Sequence, residues 1–361
     1  MVYSRKPVAV MCFSSGSGGM EISAVNLANL LSSEAKVILV GKKSSFMEKL
    51  YYEKGNDYQY ESVDFRSRIF SLSMLFKVRS IIKKYGIENV IFLGASELKT
   101  LFFSFIGLSI NLVVLHGTTK SRPKKDYLHK LIYSSVNYHV AVSEYLLRNV
   151  RVIVPCGRFT KYKAIRLSHV FNDADQIYRP RSDGIINIIH VGRIANGKGQ
   201  VDAILACKQL RSNGINFRLM LLGSSNGSNY ITEVKKAISD NQLEEFVILV
   251  GHVTNVESYL IKSDIMLFPS RGEGLSLAFI EALHHNVVCI AYDNTVFPEY
   301  EKMGFYIHLV EDGNLAALSD KLLIVANQLI NEKEKSMNNI DLARKYFGVD
   351  RELNEWLEIL I

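Results

Sequence analysis

The sequence predicts an α/β protein built from two doubly wound domains, each with a parallel sheet covered by helices on both faces. Three observations carry that expectation. Continuous apolar runs of strand length alternate with amphipathic helical segments, the pattern of strands buried on both faces. A strand, a glycine-bearing turn and a helix open the chain, and the same order begins again near residue 185. The 361 residues exceed one ordinary core and fit two domains of common size.

The first domain reads in order. "PVAVMCFSSGSGGMEISAVNLANLL" gives a strand from Val8 to Phe13, a Gly/Ser loop, and Ile22, Val25, Leu27 and Leu30 at helical spacing. "KVILVGKK" (36–43) is the next strand, and "KVRSIIKKYGIENVIFLG" (77–94) a basic helix running into another. The longest apolar stretch, "TLFFSFIGLSINLVVLHG" (100–117), is interrupted by Ser104, Gly107, Ser109 and Asn111. It falls short of the roughly 20 residues a spanning helix needs, so a buried helix followed by a strand is expected. "YHVAVSEYLLRNV" (138–150) passes from strand to helix.

The second series starts with "IINIIHVGRIANGKGQVDAILACKQL". "FRLMLLGSS" (217–225), "FVILVGHV" (246–253), "DIMLFPS" (264–270) and "VVCIAYD" (287–293) supply its further strands. "ARKYFGVDRELNEWLEIL" reads as helix. The polar, turn-rich "HVFNDADQIYRPRSDG" (169–184), with Pro180, is the expected joint. The organisation is therefore 1–172, 173–340, and a C-terminal helix over 341–361 that packs back on the first domain.

Composition narrows the function classes. With 48% hydrophobic and 22% charged residues, the chain is globular rather than disordered. Cys12, Cys156, Cys207 and Cys289 stand singly, without metal or disulfide spacing, which suits a reducing cytosol. The N-terminus enters a strand without a secretory apolar region. Residues 1–172 hold 25 Lys+Arg against 11 Asp+Glu, and residues 173–361 hold 18 against 25. A basic half joined to an acidic half suggests that the first faces something anionic.

Ligands of open α/β sheets sit at the carboxyl ends of strands, and the polar features fall on such loops. In "HVGRIANGKGQ", Arg193 follows a strand and Lys198 precedes a helix, an arrangement suited to a diphosphate; the alternative is a solvated loop with surface cations. "SSGSGGMEI" (14–22) opens the first helix with Gly18 and Gly19, but it lacks the dinucleotide spacing, which counts against a nicotinamide dehydrogenase. His116 ends a strand in "VVLHGT", where packing or capping is the ordinary role. No metal cluster or nucleophile elbow accompanies these residues.

"DIMLFPSRGEGLSLAFIEAL" (264–283) is strand, loop and helix. Gly272 and Gly274 allow close approach of a ligand. Leu275, Ser276 and Leu277 would offer the first helical N–H groups to a phosphate. Glu281, one turn into the helix, can accept from both hydroxyls of a vicinal diol such as ribose, and Glu273 stands at the loop tip. An isolated pair of glutamates is ordinarily surface; the glycines and the apolar setting make this pair different.

Together, "SGSGGMEISAVNLANLL", "VVLHGT", "VGRIANGKG" and "FPSRGEGLSLAFIEAL", with its Glu-x7-Glu spacing, resemble the retaining glycosyltransferases of family 4. The likeness runs through nearly the whole chain. It implies the GT-B fold, two Rossmann-like domains facing a central cleft, and a nucleotide-sugar donor, with a UDP-sugar favoured. Arg193 and Lys198 would hold the donor diphosphate, Glu281 the ribose and Glu273 the sugar. His116 would approach the sugar hydroxyls, Gly18 and Gly19 would line the phosphate side, and neither metal nor cofactor is expected. Two departures from the family pattern stand out: Asn286 and Val288 replace its Gly-x-Pro, and "NTVFPEYE" (294–301) has Val296 and Phe297 where glycines are usual, which should crowd that loop.

The basic segments "FRSRIFSLSMLFKVRSIIKK" (65–84) and "KSRPKKDYLHKLIY" (120–133) interleave cations with apolar residues. That suits an anionic bilayer carrying a lipid-linked acceptor, or else a plain solvated face. No nucleic-acid motif accompanies the cations. The resulting expectation is a cytoplasmic hexosyltransferase, peripheral at the inner face of the membrane, acting on a glycan or lipid-linked acceptor in bacterial surface polysaccharide biosynthesis. A GT-B nucleotide-sugar epimerase and a non-catalytic GT-B partner subunit are the alternatives.

Overall fold

The computed structural model describes residues 5–16, 18–55, 57–66, 71–94, 97–119, 121–124, 126–171, 184–225, 227 and 229–361. The chain divides into two units, Met1–Leu167 with Val349–Ile361, and Ser168–Gly348. The joint expected at 172/173 lies outside the described residues. The C-terminal segment expected as one helix forms two, Asn339–Phe347 in the second unit and Val349–Leu357 in the first. Gly348, extended at φ −71° and ψ 153°, separates them.

Among the described residues the first unit carries seven parallel strands. They are β1 (Val8–Cys12), β2 (Val37–Lys42), β3 (Gln59–Val63), β4 (Asn89–Leu93), β5 (Asn111–His116), β6 (Tyr138–Ala141) and β7 (Lys161–Ala164), in the order β3-β2-β1-β4-β5-β6-β7. Each residue of β1, β4 and β5 is buried, as central strands covered on both faces must be. The apolar stretch 100–117 becomes the helix Leu98–Phe105 followed by β5. Two asparagines that open neighbouring strands hold the C-terminus: Asn89 Nδ2 donates to the Ile361 carbonyl at 2.9 Å, and Asn111 Nδ2 to the Ile359 carbonyl at 2.8 Å.

The first helix, Gly19–Leu31, corrects the expected face. Ile22 is 40% exposed, while Glu21 is 3% exposed. The glutamate turns inward because its Oε2 accepts the Gly18 N–H at 2.9 Å, satisfying one of the donors a helix start leaves open.

The second unit has six parallel strands among the described residues: β8 (Ile186–Val191), β9 (Phe217–Leu222), β10 (Val247–Gly251), β11 (Ile265–Phe268), β12 (Val288–Tyr292) and β13 (His308–Val310). Their order is β10-β9-β8-β11-β12-β13. The order reverses between β8 and β11, so the loops after these two strands flank the point where such sheets bind ligands. Gly223 (φ +142°) allows the turn after β9 to touch the turn after β8, since a Cβ there would lie 2.0 Å from the Gly192 carbonyl oxygen.

Candidate functional site

The loop after β8 runs from Gly192 to Gly199 and leads into the helix Gln200–Ser212; the loop after β11 runs from Pro269 to Ser276 and leads into the helix Leu277–His284. The two loops are fastened together. The Arg271 N–H donates to the Gly197 carbonyl at 2.8 Å. Gly199 (φ +79°) lies so close to Pro269 that a Cβ would stand 2.1 Å from its carbonyl oxygen. Only glycine satisfies both the backbone angle and the approach.

Two of the residues singled out in the sequence meet here. Lys198 Nζ and Glu273 Oε1 are 2.7 Å apart, with side-chain exposures of 23% and 10%. The same carboxylate oxygen accepts from Ser270 Oγ at 2.7 Å. Lys198 is thus no solvated surface cation; it neutralises a carboxylate that would otherwise be buried at real cost. Arg193, two residues past the end of β8, is exposed, and Gln200 Nε2 donates to its carbonyl at 2.9 Å.

His190, which sequence reading passed over as one more strand residue, lies beneath the first loop. Its Nε2–H donates to the Lys198 carbonyl at 2.8 Å, and its ring stacks on Phe268 at 5.3 Å. Burial pushes the imidazole pKa down to about 4, so it holds the loop as a neutral donor. The second loop is anchored in turn by the Tyr300 hydroxyl, which donates to the Leu275 carbonyl.

The helix after β11 begins at Leu277, capped by Ser276 in the left-handed region (φ +58°). Leu275 therefore precedes the helix and is 6% exposed; it is not among the first helical donors. The N–H groups of Phe279 and Ile280 already bond to the Ser276 carbonyl, which leaves Leu277 and Ala278 as the open ones of the first turn. Gly274 is half-buried between Glu273 and Leu275.

Glu281 lies in different surroundings from Glu273. Burial, and then the negative charge of Glu257, raise its carboxyl pKa from 4.5 to about 7. His169 Nδ1 stands 3.4 Å from Glu281 Oε1. Burial holds that imidazole below its ordinary value, so it brings little positive charge at neutral pH. Phe171 completes this wall, its ring 5.1 Å from His169 and 4.2 Å from His284. Neither His169 nor Glu257 carries a motif that sequence reading could have found.

Both departures from the family pattern acquire physical accounts. Asn286 takes φ +52°, the left-handed cap that asparagine tolerates. The crowding expected from Val296 and Phe297 does not occur. Both are fully buried, and Phe297 packs 4.8 Å from Phe279 and 5.9 Å from Phe268. They face the core, and the segment supports the β11 loop through Tyr300.

His116, Gly18 and Gly19 belong to the first unit. His116 ends β5 and is 2% exposed. Its Nε2 lies 3.0 Å from His139 Nδ1 on neighbouring β6, so the tautomers of the two rings are linked. The Gly18 N–H is occupied by Glu21, whose Oε1 would also lie 3.0 Å from a Cβ on Gly16. The glycine loop thus closes around a carboxylate. Gly19 faces open space.

Comparison with known proteins agrees with the sequence motifs. The family model described as glycosyl transferases group 1 matches residues 176–345, nearly the whole second unit. A Haemophilus influenzae chain described as an uncharacterized glycosyltransferase is 22% identical over 355 residues, covering 95% of this chain and 96% of that one. The amylovoran biosynthesis glycosyltransferase AmsK of Erwinia amylovora is 29% identical over 157 residues, or 41% of this chain and 37% of that relative. This chain thus spans little more than a third of AmsK. Among solved structures, Anabaena Alr3699/HepE in complex with UDP superposes with a TM-score of 0.80 at 15% identity, covering 98% of each chain. The two parallel doubly wound sheets are those of the GT-B class.

Proposed function

We propose, for a chain whose second unit matches the family model described as glycosyl transferases group 1, that it transfers a hexosyl group from a UDP-sugar to a glycan or lipid-linked acceptor with retention of configuration. The observation that carries this reading is the Lys198–Glu273 pair, 2.7 Å apart, set with the exposed Arg193 where the second sheet's strand order reverses. In the free protein Lys198 neutralises Glu273. When the donor binds, Lys198 and Arg193 turn to its diphosphate, and Glu273 is released to accept hydroxyls of the sugar. The N–H groups of Leu277 and Ala278 add a helix terminus to the phosphate site.

As the bond from the anomeric carbon to the diphosphate breaks, the acceptor oxygen bonds to that carbon from the same face and its proton passes to the departing UDP oxygen, whose growing negative charge meets Lys198 and Arg193. This is electrostatic stabilisation of the kind that needs no cofactor. Glu281 accepts the ribose hydroxyls. The UDP bound by HepE and the amylovoran pathway of AmsK support a UDP-sugar and a bacterial surface polysaccharide respectively.

An anionic membrane face is supported by the helix Leu72–Tyr85, which leaves Leu72 68% and Phe76 65% exposed, one turn apart. Of its cations, Lys77 and Lys84 pair with Glu61. Lys124 donates to the Tyr133 hydroxyl at 3.0 Å, and Lys125 lies outside the described residues. Among the described residues no helix is long and apolar enough to cross a membrane.

The reading is tested by incubating the protein with UDP-hexoses and short lipid-linked acceptors and recording the anomeric configuration of the product by NMR. Retention is expected. An inverted product contradicts the mechanism, and hydrolysis or epimerisation without transfer contradicts the activity.

A further inference from the structure

The amino ends of the second unit's strands, opposite the loops that carry Arg193 and Glu273, hold a cavity of about 330 Å³. It is lined by Asn187, Arg218, Met220, Ser258, Tyr259 and Lys262. Its place follows from strand register. Asn187 and Arg218 are each the second residue of their strands and lie opposite one another, as do Ile189 and Met220. Ile188 and Leu219 point into the main core, so the alternate residues Asn187, Arg218 and Met220 share the other face. Ser258 and Tyr259 come from the short helix Glu257–Leu260, after which the chain passes Lys262 and enters β11. Asn187 lies four residues before Val191 at the far end of β8, about 13 Å along the strand, so this is a separate place from the switch-point loops.

The chemistry of the lining is one-sided. Arg218 is half-buried and Lys262 exposed; among the described residues, neither has a carboxylate within ion-pair distance. Asn187 is 2% exposed, and among the described residues its Nδ2 has no hydrogen-bond partner. Its backbone is already satisfied, with the N–H donating to Asp264 Oδ2 and the carbonyl accepting from the Asp264 N–H, both at 2.8 Å. A buried amide donor left without an acceptor is costly, and here it stands beside two cations. Ser258 Oγ donates to the Asn255 carbonyl at 3.0 Å. Met220 and the Tyr259 ring supply an apolar wall. The volume is at the small end of ligand pockets: too small for a nucleotide-sugar, and suited to a compact anion with a short organic tail.

We propose that this cavity binds a small soluble phosphate monoester, with Arg218 and Lys262 paired to the phosphate oxygens and Asn187 in the wall between the two strands. The site is independent of the donor site in both residues and position.

The test is calorimetric titration with inorganic phosphate and with glycerol 3-phosphate, at ionic strength fixed with chloride. It uses the full chain and its Arg218→Gln, Lys262→Gln and Lys198→Ala variants, each checked for an intact thermal transition beforehand. Saturable binding to the parent is expected, tighter for glycerol 3-phosphate. Losing one charged contact should weaken it about tenfold or more in Arg218→Gln and Lys262→Gln, while Lys198→Ala binds like the parent. Lys262 is exposed, so its variant stays informative if Arg218→Gln fails to fold. The proposal is overturned by absence of saturable binding, by unchanged affinity in Lys262→Gln, or by a loss confined to Lys198→Ala. Binding to phosphatidic acid vesicles without any response to glycerol 3-phosphate also overturns it.

Discussion

Replacing Glu281 with Gln should stabilise the protein in mild alkali while weakening nucleotide binding. The folded carboxyl titrates at about 7 against an ordinary value of 4.5, which corresponds to about 3 kcal/mol. The sign follows from linkage. A carboxyl whose pKa is raised by folding contributes its stability in acid, below about 4.5, and loses it as pH rises through about 7. The Gln variant has nothing to ionise, so its advantage over the parent should grow between pH 4.5 and 8 and then level off. Because the side chain keeps 21% of its exposure, about 3 kcal/mol is a ceiling. At roughly 2–4 °C per kcal/mol for a domain of this size, the ceiling in Tm is roughly 6–12 °C. His190 titrates in both proteins and cancels in the difference. The assay is thermal unfolding of parent and variant from pH 4.5 to 8.5. A difference independent of pH would refute the reasoning, because it would mean that burial does not hold this carboxyl in its protonated form. In the same variant UDP affinity should fall about tenfold to a hundredfold at pH 8, since an amide presents one acceptor oxygen where a carboxylate presents two.

Lys198→Ala leaves the Glu273 carboxylate with Ser270 but without its cation, and should cost about 1–3 kcal/mol in stability. Adding Glu273→Gln should recover most of that loss, and a double-mutant cycle by urea unfolding that finds the two losses additive contradicts the pairing. His190 has the opposite linkage to Glu281. Its pKa is lowered by burial to about 4, so its stability contribution is present above about 6.5 and is lost as pH falls toward 4. A His190→Gln variant should therefore show a shallower loss of stability between pH 6.5 and 4 than the parent, and parallel profiles would contradict a buried neutral ring.

Much of the fold was legible because it rests on local pattern. Continuous apolar runs such as "VAVMC" become strands buried on both faces, and the glycines after β8 and β9 stand where two turns touch. The face of the first helix was misread because periodicity counts Ile22 as apolar and cannot register that Glu21 captures the Gly18 N–H. Val296 and Phe297 were misread for a related reason. Their size suggests crowding in a loop, whereas both side chains are buried, Phe297 against Phe268 and Phe279. The candidate residues were visible through spacing and loop chemistry, but their surroundings were not. Ser270 and His190 look ordinary in the chain and become partners of Glu273 and Lys198 only when each loop folds back on itself, and Lys198 meets Glu273 only when β8 and β11 lie side by side. His169 and Glu257 reach Glu281 from separate parts of the second unit, a proximity without local trace.

The most direct measurement of the central claim is isothermal titration of UDP into the parent and the Lys198→Ala variant at pH 8, with folding of the variant verified by its thermal transition. If the loops after β8 and β11 hold a donor diphosphate, the parent binds UDP with one site per chain, and the variant binds about tenfold or more weakly through loss of a charged hydrogen bond. Equal affinity in the two proteins, or a parent with no measurable affinity for UDP at millimolar concentration, would contradict the assignment.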